Sequence, residues 1–154
     1  ADGGTLFLDE ITELSPRLQA KLLRVLEDKE IRHIGSNRTK RVDIRVIAAT
    51  NRNLSESLEK ETFRRDLYYR LNTLRILVPS LQERREDIPL LAEFFLQSAL
   101  EEKGKTGITF TNEALKKLSR HTWPGNIREL KNVIERAACL VEGEHISLDL
   151  INFL

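Results

Sequence analysis

Apolar residues are distributed differently on the two sides of Leu81. Before it, short unbroken apolar runs alternate with helical stripes; from Gln82 onward only helical stripes remain. The first run, Leu6-Phe7-Leu8, follows Gly3-Gly4 and ends on Asp9-Glu10. Bounded in this way, it predicts a strand buried on both faces of a parallel sheet. Ser15-Pro16 predicts a helix start, with serine at the N-cap and proline at the first helical position. Leu18, Leu22, Val25 and Leu26 form the expected apolar stripe of that helix. Ile31 to Ile34, a Gly35-Ser36-Asn37 turn signal and the basic run Arg38-Thr39-Lys40-Arg41 predict an exposed hairpin or loop. Ile44 to Ala49 predicts a second buried strand, which stops at Thr50-Asn51. A polar helix over Leu54 to Glu61 and an arginine-bearing segment from Phe63 to Leu71 follow. Leu74 to Val78 then alternates as a third strand, closed by Pro79.

Beyond Gln82, Asp87 is expected to cap a helix with Pro89 in its first turn and Leu91, Phe94 and Phe95 on its apolar face. Thr111 is expected to cap a shorter helix that buries Ala114, Leu115 and Leu118. After Trp123-Pro124-Gly125, Asn126 is expected to cap a longer one carrying Ile127, Leu130, Ile134, Ala137 and Val141. The organisation that follows is an α/β part over residues 1–81 and an all-helical part over residues 82–154.

Because a crossover helix separates the first two strands, they should pair in parallel. Their carboxyl ends then bring Asp9, Glu10, Thr50 and Asn51 to one edge, where ligands of open α/β sheets bind. One carboxylate there can hold a hard cation such as Mg²⁺ and its neighbour can orient or deprotonate a water. A hydroxyl and an amide beside them can position that water and sense a phosphate oxygen. The plainer alternatives are a capping aspartate with a solvated glutamate, and a turn-forming Thr-Asn pair. Arg64, Arg65 and Arg70 suit phosphate recognition by residue type, although their spacing alone fits surface charge. Arg128 lies in the first turn of its helix, where the dipole disfavours a cation, so it is either a functional group or the partner of a nearby acid.

Charge narrows the classes further. With 25 basic and 24 acidic residues the net charge is +1, so no global field favours nucleic acid or an anionic membrane. A single cysteine, Cys139, excludes an internal disulfide and is expected to pack inertly in its apolar helix. The histidines have no ligand spacing. No apolar run reaches membrane-spanning length, and a cytoplasmic protein without membrane contact is expected. The chain does not begin with Met and enters a buried-type strand at once, so it is expected to be a fragment.

Four strings together carry a family resemblance. They are Gly4-Thr5-Leu6-Phe7-Leu8-Asp9-Glu10-Ile11, Ala48-Ala49-Thr50-Asn51, Phe63 to Asn72 (Phe-Arg-Arg-Asp-Leu-Tyr-Tyr-Arg-Leu-Asn) and Trp123-Pro124-Gly125-Asn126-Ile127-Arg128-Glu129-Leu130. The first looks like a Walker B strand. The set resembles the AAA+ ATPase domain of NtrC-like bacterial enhancer-binding activators of sigma-54 RNA polymerase, over nearly the whole chain. The resemblance implies a partial P-loop AAA+ three-layer α/β sheet followed by a small helical lid. Its cofactors would be ATP and Mg²⁺. Asp9 would act on Mg²⁺ through its hydration shell and Glu10 would activate the hydrolytic water. Asn51, with Thr50 beside it, would sense the γ-phosphate. Arg64 and Arg70 would be arginine fingers reaching a neighbouring subunit's nucleotide, and Arg128 the second sensor in the lid. Gly4 and Thr5 would belong to the nucleotide-binding set. The implied partners are the sigma-54 RNA polymerase holoenzyme and further copies in a hexameric or heptameric ring. DNA would be bound only through a domain absent here. The loop Arg32 to Asp43 resembles the family's pre-sensor loop near the sigma-contacting surface.

The Gly-rich phosphate loop GxxxxGK[ST] is missing from this sequence. So are the family's GAFTGA loop, a receiver domain such as two-component response regulators carry, and a helix-turn-helix DNA-binding domain. Arg65 replaces a frequent acid or small residue, and Gln82 a frequent arginine. Without the family's first strand, Leu74 to Val78 would have no sheet neighbour, and the chain alone is not expected to be an ATPase. Other readings are another AAA+ motor, an assembly or partner-binding module, and DNA binding by the Thr111 to Val141 helix pair. The tight Trp-Pro-Gly turn and the lack of clustered basic residues argue against DNA binding.

Overall fold

The computed structural model describes residues 1–32 and 38–153, with Arg32 in its backbone only; the expected Gly35-Ser36-Asn37 turn lies outside them. The chain divides into two compact units, Ala1–Ile76 and Leu77–Leu154.

In the first unit, β1 (Thr5–Leu8) leads through a 3₁₀ turn (Ile11–Glu13) into α1 (Pro16–Asp28). A hairpin of β2 (Glu30–Arg32) and β3 (Thr39–Arg41) follows, antiparallel as the sequence suggests. β4 (Arg45–Ala48) then returns beside β1, and α2 (Leu54–Glu59) and α3 (Arg65–Leu71) complete the unit. β1 and β4 pair in parallel, Thr5 opposite Arg45 and Leu8 opposite Ala48.

The two strands are not buried on both faces. Phe7 is 59% and Ile47 45% exposed, because among the described residues this sheet has two strands and no layer over its outer face. Leu74 to Val78 forms no strand. An alternating sequence becomes a strand only when another strand completes its ladder, and without one Leu74, Ile76, Leu77 and Val78 each stay more than 70% exposed.

The unit's core is Ile11, Leu23, Phe63 and Leu67, packed between α1 and α3. The stripe of α1 is centred on Gln19 and Leu23, both buried, with Leu22, Val25 and Leu26 half-buried. Leu18, one residue off that centre, is left exposed.

The second unit comprises α4 (Ile88–Glu101), β5 (Thr109–Phe110), α5 (Asn112–Arg120), α6 (Asn126–Leu140) and β6 (His145–Ile146), with β5 and β6 parallel. α4 packs on α6 through a continuous core that includes Leu96, Leu118, Trp123, Leu130 and Ile134. On α4 the buried stripe is Ile88, Ala92, Leu96 and Ala99, and Phe94 points outward. Thr111 caps α5 as expected, its hydroxyl accepting from Ala114 N–H at 3.2 Å.

Asn126 does not cap its own helix. Gly125 holds the N-cap position, its N–H bonded to Glu129 Oε2 at 2.8 Å, while Asn126 Oδ1 accepts from Leu81 N–H at 2.8 Å. Trp123 and Asn126 both take positive φ, 52° each, and the indole N–H donates to Leu118 C=O at 2.9 Å. Position 125 has no room for a side chain: a Cβ on Gly125 would lie 2.7 Å from Glu129 Cβ. Cys139 is exposed, contrary to inert packing. Its helix buries Ala137 and Ala138 and turns the next position outward, where Lys103 Nζ meets Sγ at 2.7 Å.

These burial patterns separate two leucine truncations. Leu130→Ala removes a side chain with no exposure and should cost about 2–5 kcal/mol in urea unfolding of the chain. Leu77→Ala, at 74% exposure, should stay within about 0.5 kcal/mol of the wild type.

Candidate functional site

The carboxyl edge of the β1/β4 pair gathers Asp9, Glu10, Thr50 and Asn51, as the sequence suggests. The ladder runs on past both strands: Ala49 N–H donates to Leu8 C=O at 2.8 Å and Ile11 N–H to Ala49 C=O at 2.9 Å. That clamp brings the Asp9-Glu10 corner against the Thr50-Asn51 corner.

Glu10 takes left-handed backbone angles, φ 49° and ψ 51°, a conformation costing a non-glycine residue about 1 kcal/mol or more. It lets the chain leave β1 abruptly for the 3₁₀ turn, closed by Glu13 N–H on Glu10 C=O at 2.8 Å. Asp9 Oδ1 accepts from Glu10 N–H at 3.0 Å, and Glu10 Oε2 accepts from Asn51 N–H at 3.3 Å. Thr50 Oγ1 meets Thr12 Oγ1 at 2.8 Å and accepts from Arg52 N–H at 3.1 Å, while Arg52 pairs with Glu13. So Asp9, Glu10, Thr50 and Asn51 form one cluster. Gly4 and Thr5 do not join it: they open β1, four residues and ~13 Å of strand from Asp9, with Gly4 N–H and C=O committed to Ala1 and Arg45.

The arginines lie on a second face. Arg64 occupies the N-cap position of α3, and Asp66 stands in the first turn, where a carboxylate suits the dipole. Arg64 Nε donates to Asp66 Oδ1 at 3.0 Å and Nη2 to Oδ2 at 2.6 Å, a bidentate pair. The Arg64 guanidinium holds the Asp66 carboxyl below its ordinary value, helped by Leu67 N–H, and Asp66 in turn raises Arg64. Arg64 and Arg65 line a shallow groove of about 440 Å³ with Leu58, Glu61, Phe63 and Asp66. Arg70, in the last turn of α3, donates to Leu26 C=O at 3.0 Å, near the carbonyl end of α1.

Behind Arg64 sits a residue that sequence reasoning passed over. Gln19 has no exposed surface. Its Nε2 donates to Leu14 C=O at 2.8 Å and Thr62 C=O at 2.9 Å, and its Oε1 accepts from Arg64 N–H at 2.9 Å. The available signal was an amide in the middle of an apolar stripe, between Ile11 and Leu23.

Arg128 is exposed in the first turn of α6 in the second unit. Among the described residues no ion pair to it is formed, so the acid-partner alternative has no support. The donor set at the β1/β4 edge is carboxylate and hydroxyl oxygen. Among the described residues no group of three or more His, Cys, Asp or Glu could enclose a metal. Such a set fits a hydrated Mg²⁺ shared with substrate phosphates and does not fit a caged structural ion.

A partial parallel sheet with carboxylate, hydroxyl and amide residues at its carboxyl edge, followed by a helical lid, is the arrangement of an AAA+ type α/β protein. Residues 1–77 match the sigma-54 interaction domain and residues 82–153 the AAA+ ATPase lid domain, and the chain belongs to this family. It is 54% identical over 147 residues to the transcriptional regulatory protein ZraR of Salmonella typhimurium, spanning 96% of this chain and 33% of that protein. It is 52% identical over 152 residues to the Nif-specific regulatory protein of Azotobacter vinelandii, covering 29% of it. Among solved structures, NtrX from Brucella abortus in complex with ADP superposes with a TM-score of 0.94 at 38% identity, over 99% of this chain and 36% of NtrX. The same protein in complex with ATP gives 0.93. The chain thus spans about a third of the length of the curated relatives it matches.

The Arg64–Asp66 pair sets the direction of a pH effect. A carboxyl whose folded value is depressed stabilises above its unfolded value, near 3.8 for Asp66, and the contribution is lost as pH falls through the lower folded value. Following Asp66 by NMR titration should therefore show it below the ordinary range in the wild type and back near it in Arg64→Gln. An ordinary value with Arg64 in place would mean that the clasp does not form.

Proposed function

We propose that this chain is the Walker B, first-sensor, arginine-finger and lid portion of an ATP-hydrolysing ring motor that remodels sigma-54 RNA polymerase to activate transcription in the cytoplasm. Residues 1–81 would be the second half of its α/β subdomain and residues 82–154 its lid. The observation that carries this reading is the β1/β4 register, which sets Glu10 against Asn51 with Asp9 alongside. Membership of the sigma-54 interaction domain family supports the partner, and NtrX in complex with ATP and ADP supports the nucleotide.

In this reading Asp9 holds hydrated Mg²⁺, whose charge neutralises phosphate oxygens. Glu10 accepts the proton of the attacking water, and Asn51 and Thr50 position that water against the γ-phosphate. Gly4 and Thr5, which open β1 at the end away from this edge, are left out of the proposed nucleotide contacts. Arg64 and Arg70 reach the nucleotide of the next subunit, and Arg128 closes the lid on the nucleotide of its own. Arg64 and Arg70 already hold weak partners, Asp66 and the Leu26 carbonyl. Exposed ion pairs are worth little, so a polyanionic phosphate can displace Asp66 from Arg64. Catalysis of this kind is positioning and charge neutralisation.

A non-catalytic assembly or partner-binding module is the competing reading, favoured by the exposed apolar positions Leu90, Phe94 and Leu148 of the second unit. It requires that Asp9→Ala leave the activity of the intact protein unchanged.

Two measurements test the motor reading. The isolated 154-residue chain should show no Mg²⁺-dependent ATP turnover, because it has no phosphate loop. In the intact protein carrying this chain, Glu10→Gln should lower turnover by about 10²–10⁴-fold while leaving ATP binding in place. Turnover within twofold of the wild type would remove Glu10 from its role.

A further inference from the structure

We infer that Gln19 is a positioning residue for Arg64, joining α1 to the segment that presents the intersubunit arginine; this rests on the reading of Arg64 as an arginine finger. Gln19 is a wholly buried polar side chain in an otherwise apolar core, and its three hydrogen bonds all go to backbone. A buried amide is retained only when its groups are satisfied. Here two of the three bonds converge on one stretch, Thr62 C=O and Arg64 N–H, on either side of buried Phe63. The third, to Leu14 C=O, ties the same amide to the loop that follows the Asp9-Glu10 corner and its 3₁₀ turn.

This is a geometric requirement of the site. Arg64 is the N-cap of a seven-residue helix, and its backbone N–H donates to Gln19 Oε1. The helix tip that carries the guanidinium is therefore fixed by an amide from α1. With both its backbone end and its guanidinium held, by Gln19 and Asp66, Arg64 has few conformations to lose on meeting a phosphate. Gln19 touches no nucleotide itself; it acts through Arg64. It also places the finger and the Glu10 corner on one rigid connection within each subunit, the finger serving the neighbour's site and the corner its own.

The test uses the intact protein and three variants: Gln19→Met, Arg64→Ala and Glu10→Gln. Methionine matches the length of glutamine and keeps the core filled, but it cannot pair the three backbone groups. Gln19→Met should lower kcat at least tenfold with the ATP dissociation constant within twofold of wild type. Mixing it with Glu10→Gln subunits, which lack the water-activating carboxylate but keep a well-placed finger, should restore turnover. A merely structural lesion would not be restored in this way, since its own nucleotide site would be damaged too. Turnover of Gln19→Met within twofold of wild type would overturn the inference. So would a loss that mixing fails to restore while Arg64→Ala is restored. Failure of Arg64→Ala itself to be restored would instead remove the arginine-finger reading. If Gln19→Met does not fold, Gln19→Leu takes its place, since it too fills the core without pairing the three backbone groups, and it is read by the same criteria.

Discussion

Everything at the carboxyl edge depends on the parallel register of β1 and β4. With Leu8 opposite Ala48, the ladder continues through Ala49 N–H to Leu8 and Ile11 N–H to Ala49. Those two bonds hold two chain corners together that are about 40 residues apart in sequence. A slip of one residue would turn the slipped strand's side chains to the opposite face and would separate Glu10 from Asn51. The left-handed backbone at Glu10 is part of the same device. It stores a small strain to turn the chain sharply enough that a carboxylate, not a backbone group, faces Asn51 N–H. The surrounding ladder and the 3₁₀ turn over-determine that corner, which is how such a conformation persists.

The arginine face is built on a different principle. The β-edge uses backbone bonds between strands, whereas α3 is tied to α1 by a core of Leu23, Phe63 and Leu67 and by one buried amide. Apolar packing is non-directional and by itself would leave the tip of a two-turn helix free to shift. Gln19 supplies direction, and Asp66 restrains the guanidinium at the surface at little energetic cost. A strongly held arginine could not exchange its carboxylate for a phosphate; a wholly free one would have to be ordered at each encounter.

The second unit shows how a short motif is read out by packing. Trp-Pro-Gly-Asn combines a buried indole, two positive-φ residues and a glycine with no room for a side chain. Asn126 looked like the cap of the helix it begins. In three dimensions its amide oxygen is spent on Leu81 N–H, so it caps a neighbouring turn instead. Cap chemistry was legible in the sequence, but the identity of the capped group was not, because it depends on which backbone end lies nearby.

Local pattern in the sequence marked the helices, the two paired strands and the candidate residues at their carboxyl edge. Periodicity marked the helices, and the polar stops after Leu8 and Ala49 marked the candidate edge, because alternation and helical spacing are local properties of side chains. Tertiary structure alone decided burial and pairing. Phe7 and Ile47 have the composition of a fully covered sheet, yet are half exposed because burial requires a second layer that these residues cannot encode locally. Leu74 to Val78 has a strand's alternation and no ladder, since backbone hydrogen bonds of a strand belong to its neighbour. Gln19 is the converse case: a polar residue on an apolar stripe, whose role became visible only when Leu14, Thr62 and Arg64 were brought around it.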